Sequence, residues 1–251
     1  MTENNADTRF EQVSDLPAES PTLIEGLPGL GLVASIAVDQ ITRQLGLTQH
    51  GTIVSADFPP VAAFDDGRVR DAVRVYAGED PAVMTLQSDI PIPPDAVESL
   101  SQCVLEDLAA EFDRAVFLAG APAESESDLG DVVGVATSDG MEQSLTEAGI
   151  EVAEGPGVIG GVTGGLVAEC YHADVPAAVL VVKSNPYIPD PGAARDVIEN
   201  ALEPLVDFDI DTQELLEQAE EIQEQKRQIA EQLQQYQQQQ QPEPAIQGMY
   251  Q

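Results

Sequence analysis

The last three residues of the sequence, Met249, Tyr250 and Gln251, combine groups that could bind a partner. The methionine offers an apolar side chain, the tyrosine offers an aromatic ring with a hydroxyl group, and the final residue carries a free carboxylate. Capture of a C-terminal carboxylate is a known mode of peptide recognition. Pro242 and Pro244 interrupt the glutamine-rich segment before them, so residues 241–251 are predicted to be a flexible tail. These features predict a docking motif.

The residues that could serve in catalysis or bind a metal form no comparable pattern. Cys170 and His172 lie two residues apart on a predicted helix, so their side chains point away from each other. Cys103 and Cys170 lack the spacing of metal ligands and are interpreted as small buried hydrophobic residues. His50 has no candidate partner and is expected at a surface turn. The sequence therefore predicts that the protein is not an enzyme and uses no metal ion or cofactor.

Glycine-rich turns are the other candidate sites. Gly26, Gly29 and Gly31 follow a predicted strand and precede a predicted helix, where backbone amides can attract an anion. Their spacing differs from that of the dinucleotide and nucleoside triphosphate fingerprints. Two interpretations stay open: the glycines allow a strand and a helix to pack closely, or the turn binds a phosphate-like ligand. The same alternatives apply to the later segment "GVIGGVTGG".

The charge of the chain excludes several classes of partner. Asp and Glu number 45 against 10 Lys and Arg, which gives a formal net charge of −35. Such a surface repels nucleic acids and anionic membranes, so neither is a predicted partner. Acidity that is spread along the whole chain is typical of adaptation to molar salt, which predicts a halophilic source. The sequence has neither a signal-peptide pattern nor a long apolar run, so a cytoplasmic protein is expected.

Strand and helix patterns alternate between residues 21 and 206. Apolar runs such as "RAVFLAG" and "PAAVLVV" predict buried strands, and apolar residues at helical spacing, such as Val33, Ala37 and Ile41, predict helices between them. Asp190 and Pro191 predict the start of the last helix of this region. The pattern indicates a three-layer α/β fold with a mainly parallel sheet flanked by helices. Residues 1–20 are predicted to be a flexible N-terminal segment.

The composition changes after this domain, and residues 207–240 predict one long amphipathic helix. Its apolar residues form a narrow heptad seam that Lys226 interrupts, which indicates either self-association or packing against the domain. The seam residues are Leu215, Ala219, Ile222, Ile229, Leu233 and Tyr236.

Three segments of the domain resemble the PAC2 family, which contains archaeal relatives of proteasome assembly chaperones. They are "LIEGLPGLGLVASIAVDQI", "GVTGGLVAECYHADVPAAVLVV" and "NPYIPDPGAARDVIENAL", in this order. The resemblance covers about residues 21–206. It implies a fold similar to nucleoside phosphorylases, a homo-oligomer and a role in assembling or activating the 20S proteasome.

The last three residues resemble the hydrophobic-tyrosine-X motif of proteasome activators and assembly chaperones. The resemblance implies that they enter pockets between α-subunits of the proteasome ring. Met249 would fill an apolar pocket, Tyr250 would act on the gate region, and the carboxylate of Gln251 would pair with a lysine. The predicted function is therefore a proteasome assembly chaperone or ATP-independent activator. The alternative is a small-molecule-binding protein or enzyme that uses the glycine turns of a phosphorylase-like fold.

Overall fold

The computed structural model describes residues 8–239 and is built around a nine-stranded sheet. Two further short strands pair only with each other, as a separate hairpin. In chain order the strands are β1 (Arg9–Gln12), β2 (Thr22–Gly26), β3 (Thr48–Val54), β4 (Ala63–Asp65), β5 (Arg68–Arg70), β6 (Val73–Gly78), β7 (Val83–Ser88), β8 (Arg114–Pro122), β9 (Val132–Ala136), β10 (Glu151–Val152) and β11 (Ala177–Ser184).

The order of strands across the large sheet is β1-β3-β6-β7-β2-β8-β11-β9-β10. The four central strands, β7, β2, β8 and β11, are parallel, which confirms the prediction for the middle of the sheet. The strands β1, β3 and β6 are antiparallel to their neighbours, and β9 is antiparallel to β11. The link from β6 to β7 is short enough for a hairpin, whereas a parallel pair needs a crossover of a dozen residues or more.

Helices cover both faces of the sheet, as the sequence predicts. Short 3₁₀ or π turns precede α1 and α2 and extend α2 and α5. In chain order the helices are α1 (Val33–Gln44), α2 (Val97–Cys103), α3 (Asp139–Glu147), α4 (Gly161–His172), α5 (Pro191–Val197), α6 (Glu203–Val206) and α7 (Gln213–Gln239). One face of the sheet packs against α1, α3 and α5, and the other against α2 and α4.

The central strands are buried on both faces, so successive side chains enter different cores. On β2, Leu23 belongs to the core under α2 and α4, and Ile24 belongs to the core under α1 and α5. On β8, Phe117 and Leu118 divide in the same way. Because both alternating positions need apolar side chains, these strands appear in the sequence as continuous hydrophobic runs.

The start of α5 confirms the predicted cap. Asp190 is the N-cap residue, and its Oδ1 accepts a hydrogen bond of 3.1 Å from the backbone N–H of Ala193. Its Oδ2 accepts a second bond of 2.8 Å from the N–H of Asn185. Pro191 occupies the first turn, where its missing N–H costs no helical hydrogen bond.

The N-terminal segment differs from the prediction of a flexible stretch over residues 1–20. Arg9–Gln12 forms β1, which pairs with β3 at the edge of the sheet. The ring of Phe10 lies 5.4 Å from the ring of His50, centroid to centroid. The prediction that His50 lies at a surface turn is wrong, since its side chain is fully buried and its Nε2 lies 2.7 Å from Oε2 of Glu111. The apolar cover supplied by β1 explains this burial.

Candidate functional site

The predicted docking residues Met249, Tyr250 and Gln251 lie outside the described residues. The element that leads toward them is α7, which has 27 residues and therefore a length of about 40 Å. Its sequence contains neither Gly nor Pro, and both would weaken a helix interior.

The first turns of α7 are fixed to the domain. Nε2 of Gln40 on α1 donates a hydrogen bond of 2.7 Å to the carbonyl oxygen of Asp211, just before the helix. Arg43, also on α1, forms an ion pair of 3.2 Å with Glu214. Leu215 is only 1% exposed and belongs to the core under α1 and α5. The base of the helix therefore has a defined position against α1.

The predicted seam of α7 divides into two parts. Leu215 packs into its own domain, which is one of the two alternatives that the sequence left open. Ala219 and Ile222 are half-buried and line a cavity of about 260 Å³ between α7, the start of α5 and the loop after β8. The side chains of Ile229, Leu233 and Tyr236 lie outside those that the structure describes. Self-association through this later part of the seam stays a prediction.

The glycine turn after β2 is closely packed. A Cβ atom added to Gly26 would lie 2.5 Å from Cβ of Val38, on α1. Gly31 has a φ of +66°, and an added Cβ would lie 2.8 Å from Oγ of Ser184. Gly29 has no neighbour within 4 Å of an added Cβ. The close-packing interpretation thus accounts for two of the three glycines, and Gly26 also borders a polar cavity described below.

A carboxyl group lies under this turn. Glu25, the residue before Gly26, is fully buried. Its Oε1 accepts a hydrogen bond of 2.9 Å from the N–H of Leu27, and its Oε2 accepts one of 3.3 Å from the N–H of Leu118. The hydroxyl of Thr163, in the first turn of α4, donates to the same Oε2 at 3.5 Å. The side chain of Glu25 therefore links the end of β2 to the middle of β8 and to the second glycine segment.

Burial controls the protonation of Glu25. Loss of solvation raises its pKa from 4.5 to about 8, although the three hydrogen bonds favour the charged form. The carboxyl group is therefore largely protonated at neutral pH. It also accepts the backbone N–H of Leu27, which is therefore not free to bind a phosphate at this turn. The sequence alone does not single out this residue, because it is one of 45 acidic residues.

The two cysteines are structural. Cys103 and Cys170 are buried, and desolvation raises the pKa of each thiol to about 12. Nearby carboxylates, chiefly Asp107 for the first and Glu169 for the second, act in the same direction. A thiol with such a pKa is protonated and is a poor nucleophile. This agrees with their interpretation as small buried hydrophobic residues.

Sequence reasoning missed a polar cavity of about 550 Å³ between α1 and the β4–β5 hairpin. Arg74 is almost fully buried there and donates to Asp89, which also accepts from Arg70 at 3.1 Å. Burial alone would raise the pKa of Asp89, but the hydrogen bonds and charge of Arg74 hold it below its usual value. Arginine within the strand pattern "VRVYAG" was the available signal. Because these arginines are paired with carboxylates, the cluster fixes the hairpin to the sheet.

Across residues 8–239 no group of three or more His, Cys, Asp or Glu side chains could hold a metal ion. Within the same residues, no helix combines the length and the apolar character needed to cross a membrane.

Comparison with known proteins gives consistent matches over most of the chain. An uncharacterised protein of Methanocaldococcus jannaschii is 26% identical over 212 residues, which cover 84% of this chain and 86% of the relative. The structure is similar to that of Pyrococcus furiosus PbaA, described as an archaeal homologue of a proteasome-assembly chaperone. The TM-score is 0.80 at 27% identity, covering 92% of this chain and 95% of that one.

The same fold occurs in Pyrococcus furiosus PbaB, described as an archaeal proteasome activator. The TM-score is 0.79 at 20% identity, covering 89% of this chain and 98% of that one. The family model of the PAC2 family matches residues 23–230. This match spans the central sheet, both helical layers and the described beginning of α7. The chain therefore belongs to the PAC2 family.

Proposed function

We propose that the protein is a proteasome assembly chaperone or an ATP-independent proteasome activator. The observation that carries this proposal is the likeness to PbaA, at 27% identity over 92% of the chain. PbaA is described as an archaeal homologue of a proteasome-assembly chaperone, and PbaB shares the fold. In this proposal the protein binds the 20S proteasome and catalyses no reaction of its own.

The proposed contact is the C-terminal tail. Met249 fills an apolar pocket between two α-subunits, and Tyr250 packs its ring while offering its hydroxyl group. The carboxylate of Gln251 pairs with a pocket lysine. In molar salt this ion pair is screened, so the apolar and aromatic groups supply most of the affinity. The support for these roles is the residue pattern of the tail.

The length of α7 and the number of tails in an oligomer would both help such a short motif to bind. The base of α7 is anchored by Gln40, Arg43 and Leu215, and the described side chains from Gln223 to Gln228 are exposed. An anchored helix of about 40 Å would hold the tail away from the acidic domain. In a homo-oligomer several tails would meet a ring with several pockets, and linked sites gain avidity by about 10²–10⁴.

The alternative is a protein that binds phosphate or a nucleotide at the glycine turns. Close packing at Gly26 and Gly31, and the hydrogen bonds of Glu25, favour a structural role for the first turn. A rise in the melting temperature on addition of phosphate or a nucleotide would support the alternative.

The test compares single changes in the tail for binding to 20S proteasome in high salt. Tyr250→Ala is expected to weaken binding by at least about tenfold, because the ring supplies most of the buried area. Gln251→Ala is expected to change binding by less than about twofold, because the terminal carboxylate persists. Adding one residue after Gln251 displaces the carboxylate and should weaken binding as strongly as Tyr250→Ala.

Equal losses from Tyr250→Ala and Gln251→Ala would contradict the assigned roles. Full binding by the extended protein would show that a free carboxylate in this position is not required. Circular dichroism of each variant provides the control, since changes outside the domain should leave its melting curve unchanged.

A further inference from the structure

The polar cavity between α1 and the β4–β5 hairpin lies where the topology of the sheet opens a crevice. Strand β2 leads into α1 on one face of the sheet, and the neighbouring parallel strand β7 leads into α2 on the other face. Loops that diverge in this way leave a crevice outside the carboxyl ends of the two strands, which is where open α/β sheets bind ligands. The last residues of the two strands, Gly26 and Ser88, both line the cavity.

The size and the lining of the cavity suit a small hydrophilic molecule. Its volume of about 550 Å³ falls within the range of about 300–1,000 Å³ that is usual for ligand sites. Most such sites are lined mainly by apolar side chains. Among the described residues that line this one, Leu47 is the one aliphatic side chain. An apolar ligand would therefore find few partners here.

Charged side chains of both signs line the cavity in equal number. Three of the 10 Lys and Arg residues of the chain lie here, beside three carboxylates. The positive residues are Arg43, Arg70 and Arg74, and the negative ones are Asp39, Asp65 and Asp89. On a protein with a net charge of −35, the cavity is thus a place where the local charge is close to zero.

Arg70 is fixed in position before any ligand binds. The side chain of Arg74 is only 3% exposed, and it donates to the carboxylate of Asp89. The same carboxylate accepts from Nε and Nη2 of Arg70, at 3.2 and 3.1 Å. A guanidinium group that is already held loses less conformational freedom when a ligand binds.

Arg70 and Asp65 keep hydrogen-bonding capacity that the described residues do not fill. Arg70 also donates to Asp65 at 2.8 Å, which leaves two of its five N–H groups without an acceptor among these residues. Within the same part of the chain, Asp65 accepts through Oδ2 alone, and its side chain is 67% exposed. Oε1 of Gln87 likewise accepts no hydrogen bond from a described residue, whereas its Nε2 donates to Thr42 at 2.6 Å. Donors and acceptors are therefore both available to a ligand.

Electrostatics restricts the class of that ligand. The net charge of −35 repels phosphate and other multivalent anions. The three arginines repel a simple cation. A small zwitterion avoids both costs, because its carboxylate accepts from a guanidinium group while its ammonium group donates to a carboxylate. In an α-amino acid these two groups are neighbours, as the opposite charges of Arg70 and Asp65 are in the cavity.

We propose that the polar cavity binds a free α-amino acid. Arg70 binds the carboxylate of the ligand, Asp65 binds its ammonium group, and Arg74 with Asp89 positions Arg70. This assignment goes beyond the proposed proteasome contact, because it concerns the domain and not the tail. It also differs from phosphate binding at the glycine turns, since its charged contacts come from the β4–β5 hairpin.

The test is isothermal titration calorimetry of the full-length protein in 3 M KCl with each of the common L-amino acids in turn. At least one is expected to bind, and to raise the melting temperature by at least about 3 °C at about ten times its Kd. Two analogues of that amino acid, one without the amino group and one without the carboxyl group, should each bind at least about tenfold more weakly. Each analogue leaves one charged group of the cavity without its partner.

Two pairs of variants locate the site. Arg70→Gln removes the guanidinium group and should weaken binding by at least about tenfold. The matched control is Arg68→Gln, because Arg68 lies on the same strand, is exposed and does not line the cavity. Asp65→Asn should weaken binding to a similar extent while it leaves the contact of Arg70 with Asp89 in place, and Asp66→Asn is its control outside the cavity. Both controls should change binding by less than about twofold, and circular dichroism confirms that each variant is folded.

Four outcomes would overturn the proposal. One is a wild-type protein that binds none of the amino acids, and the second is full binding by the Arg70→Gln and Asp65→Asn variants. The third is an equal loss in the Arg68→Gln and Asp66→Asn controls, which would show a general effect of charge. The fourth is equally tight binding of the analogue without an amino group, which would mean that the cavity binds anions. None of these outcomes bears on tail binding to the proteasome, so this proposal and the proposed function fail separately.

Discussion

The carboxyl edge of the parallel strands and the helix α7 differ in charge, in glycine and proline content, and in the kind of side chain that they expose. The edge is rich in glycine and proline and exposes apolar side chains such as Val158 and Tyr187. It has no Asp, Glu, Lys or Arg in residues 26–38, 155–168 and 184–189. Helix α7 has no glycine or proline, and the described side chains beyond Ile222 are polar and exposed. The edge therefore exposes apolar groups to solvent, whereas the helix exposes polar ones.

This difference assigns separate tasks to the two regions. A surface without charge, on a protein of net charge −35, is where another molecule can approach without repulsion. A long polar helix that is anchored at Leu215 and exposed beyond Ile222 is suited to carry its C-terminal end away from the domain. The helix is therefore the region suited to reach a partner, and the edge is the region with exposed apolar groups.

A change in salt concentration should have the largest effect on the stability of this acidic protein. At 0.1 M salt the Debye length is about 10 Å, and at 1 M it is about 3 Å, so acidic side chains repel each other far more in dilute salt. The melting temperature is expected to rise by at least about 10 °C between 0.1 M and 3 M KCl, which corresponds to about 3–5 kcal/mol for a chain of this size. Thermal unfolding followed by circular dichroism measures it. An unchanged melting temperature would contradict the predicted adaptation to salt.

A pair of glycine substitutions tests whether the edge is tightly packed beneath its exposed surface. An added Cβ at Gly120 would lie 2.4 Å from the carbonyl oxygen of Leu30, a backbone atom that cannot easily move. Gly120→Ala is therefore expected to reduce the free energy of unfolding by about 2–3 kcal/mol. Gly29→Ala is the matched control, because nothing lies within 4 Å of its added Cβ. Denaturant unfolding measures both, and equal effects would contradict the described packing.

The protonation of Glu25 should produce a smaller effect that depends on pH. The pKa of this group is about 8 in the folded protein, against 4.5 for an ordinary glutamate. Between these values the unfolded chain releases a proton that the folded protein keeps, so stability should fall as pH rises from 4.5 to 8. Glu25→Gln cannot release this proton. The variant should lose about 2 kcal/mol less stability than the wild type between pH 6 and pH 8.

The measurement is denaturant unfolding of both proteins at pH 6, 7 and 8 in the same concentration of KCl. Only the difference in slope between the two proteins is used, since the other acidic groups titrate alike in both. Parallel slopes would show that Glu25 is ionised throughout this range in the folded protein.

Much of the fold was predictable because its signals are local. The apolar runs "RAVFLAG" and "PAAVLVV" correspond to β8 and β11, and Asp190 with Pro191 marks the start of α5. The antiparallel edges were missed because strand direction depends on connections, which hydrophobic pattern does not report. The burial of His50 was missed because it depends on β1, which is distant in sequence.

The candidate sites were predictable to a smaller extent. The spacing of the glycines indicated a special turn, but the contacts of Gly26 with Val38 and of Gly31 with Ser184 join separate elements and could not be read from spacing. The role of Glu25 depends on its complete burial, which no sequence pattern near it reports. The roles of Met249, Tyr250 and Gln251 rest on the sequence pattern and stay predictions.

The most direct test of the central claim uses purified 20S proteasome from the same organism in high salt. Binding and peptide hydrolysis are measured with the wild-type protein and with protein lacking Met249–Gln251. The account predicts that the wild type binds and that the truncated protein does not, while fold and mass are the same for both. A change in hydrolysis on binding would distinguish an activator from an assembly chaperone. Equal binding by the truncated protein would contradict the claim that the tail makes the contact.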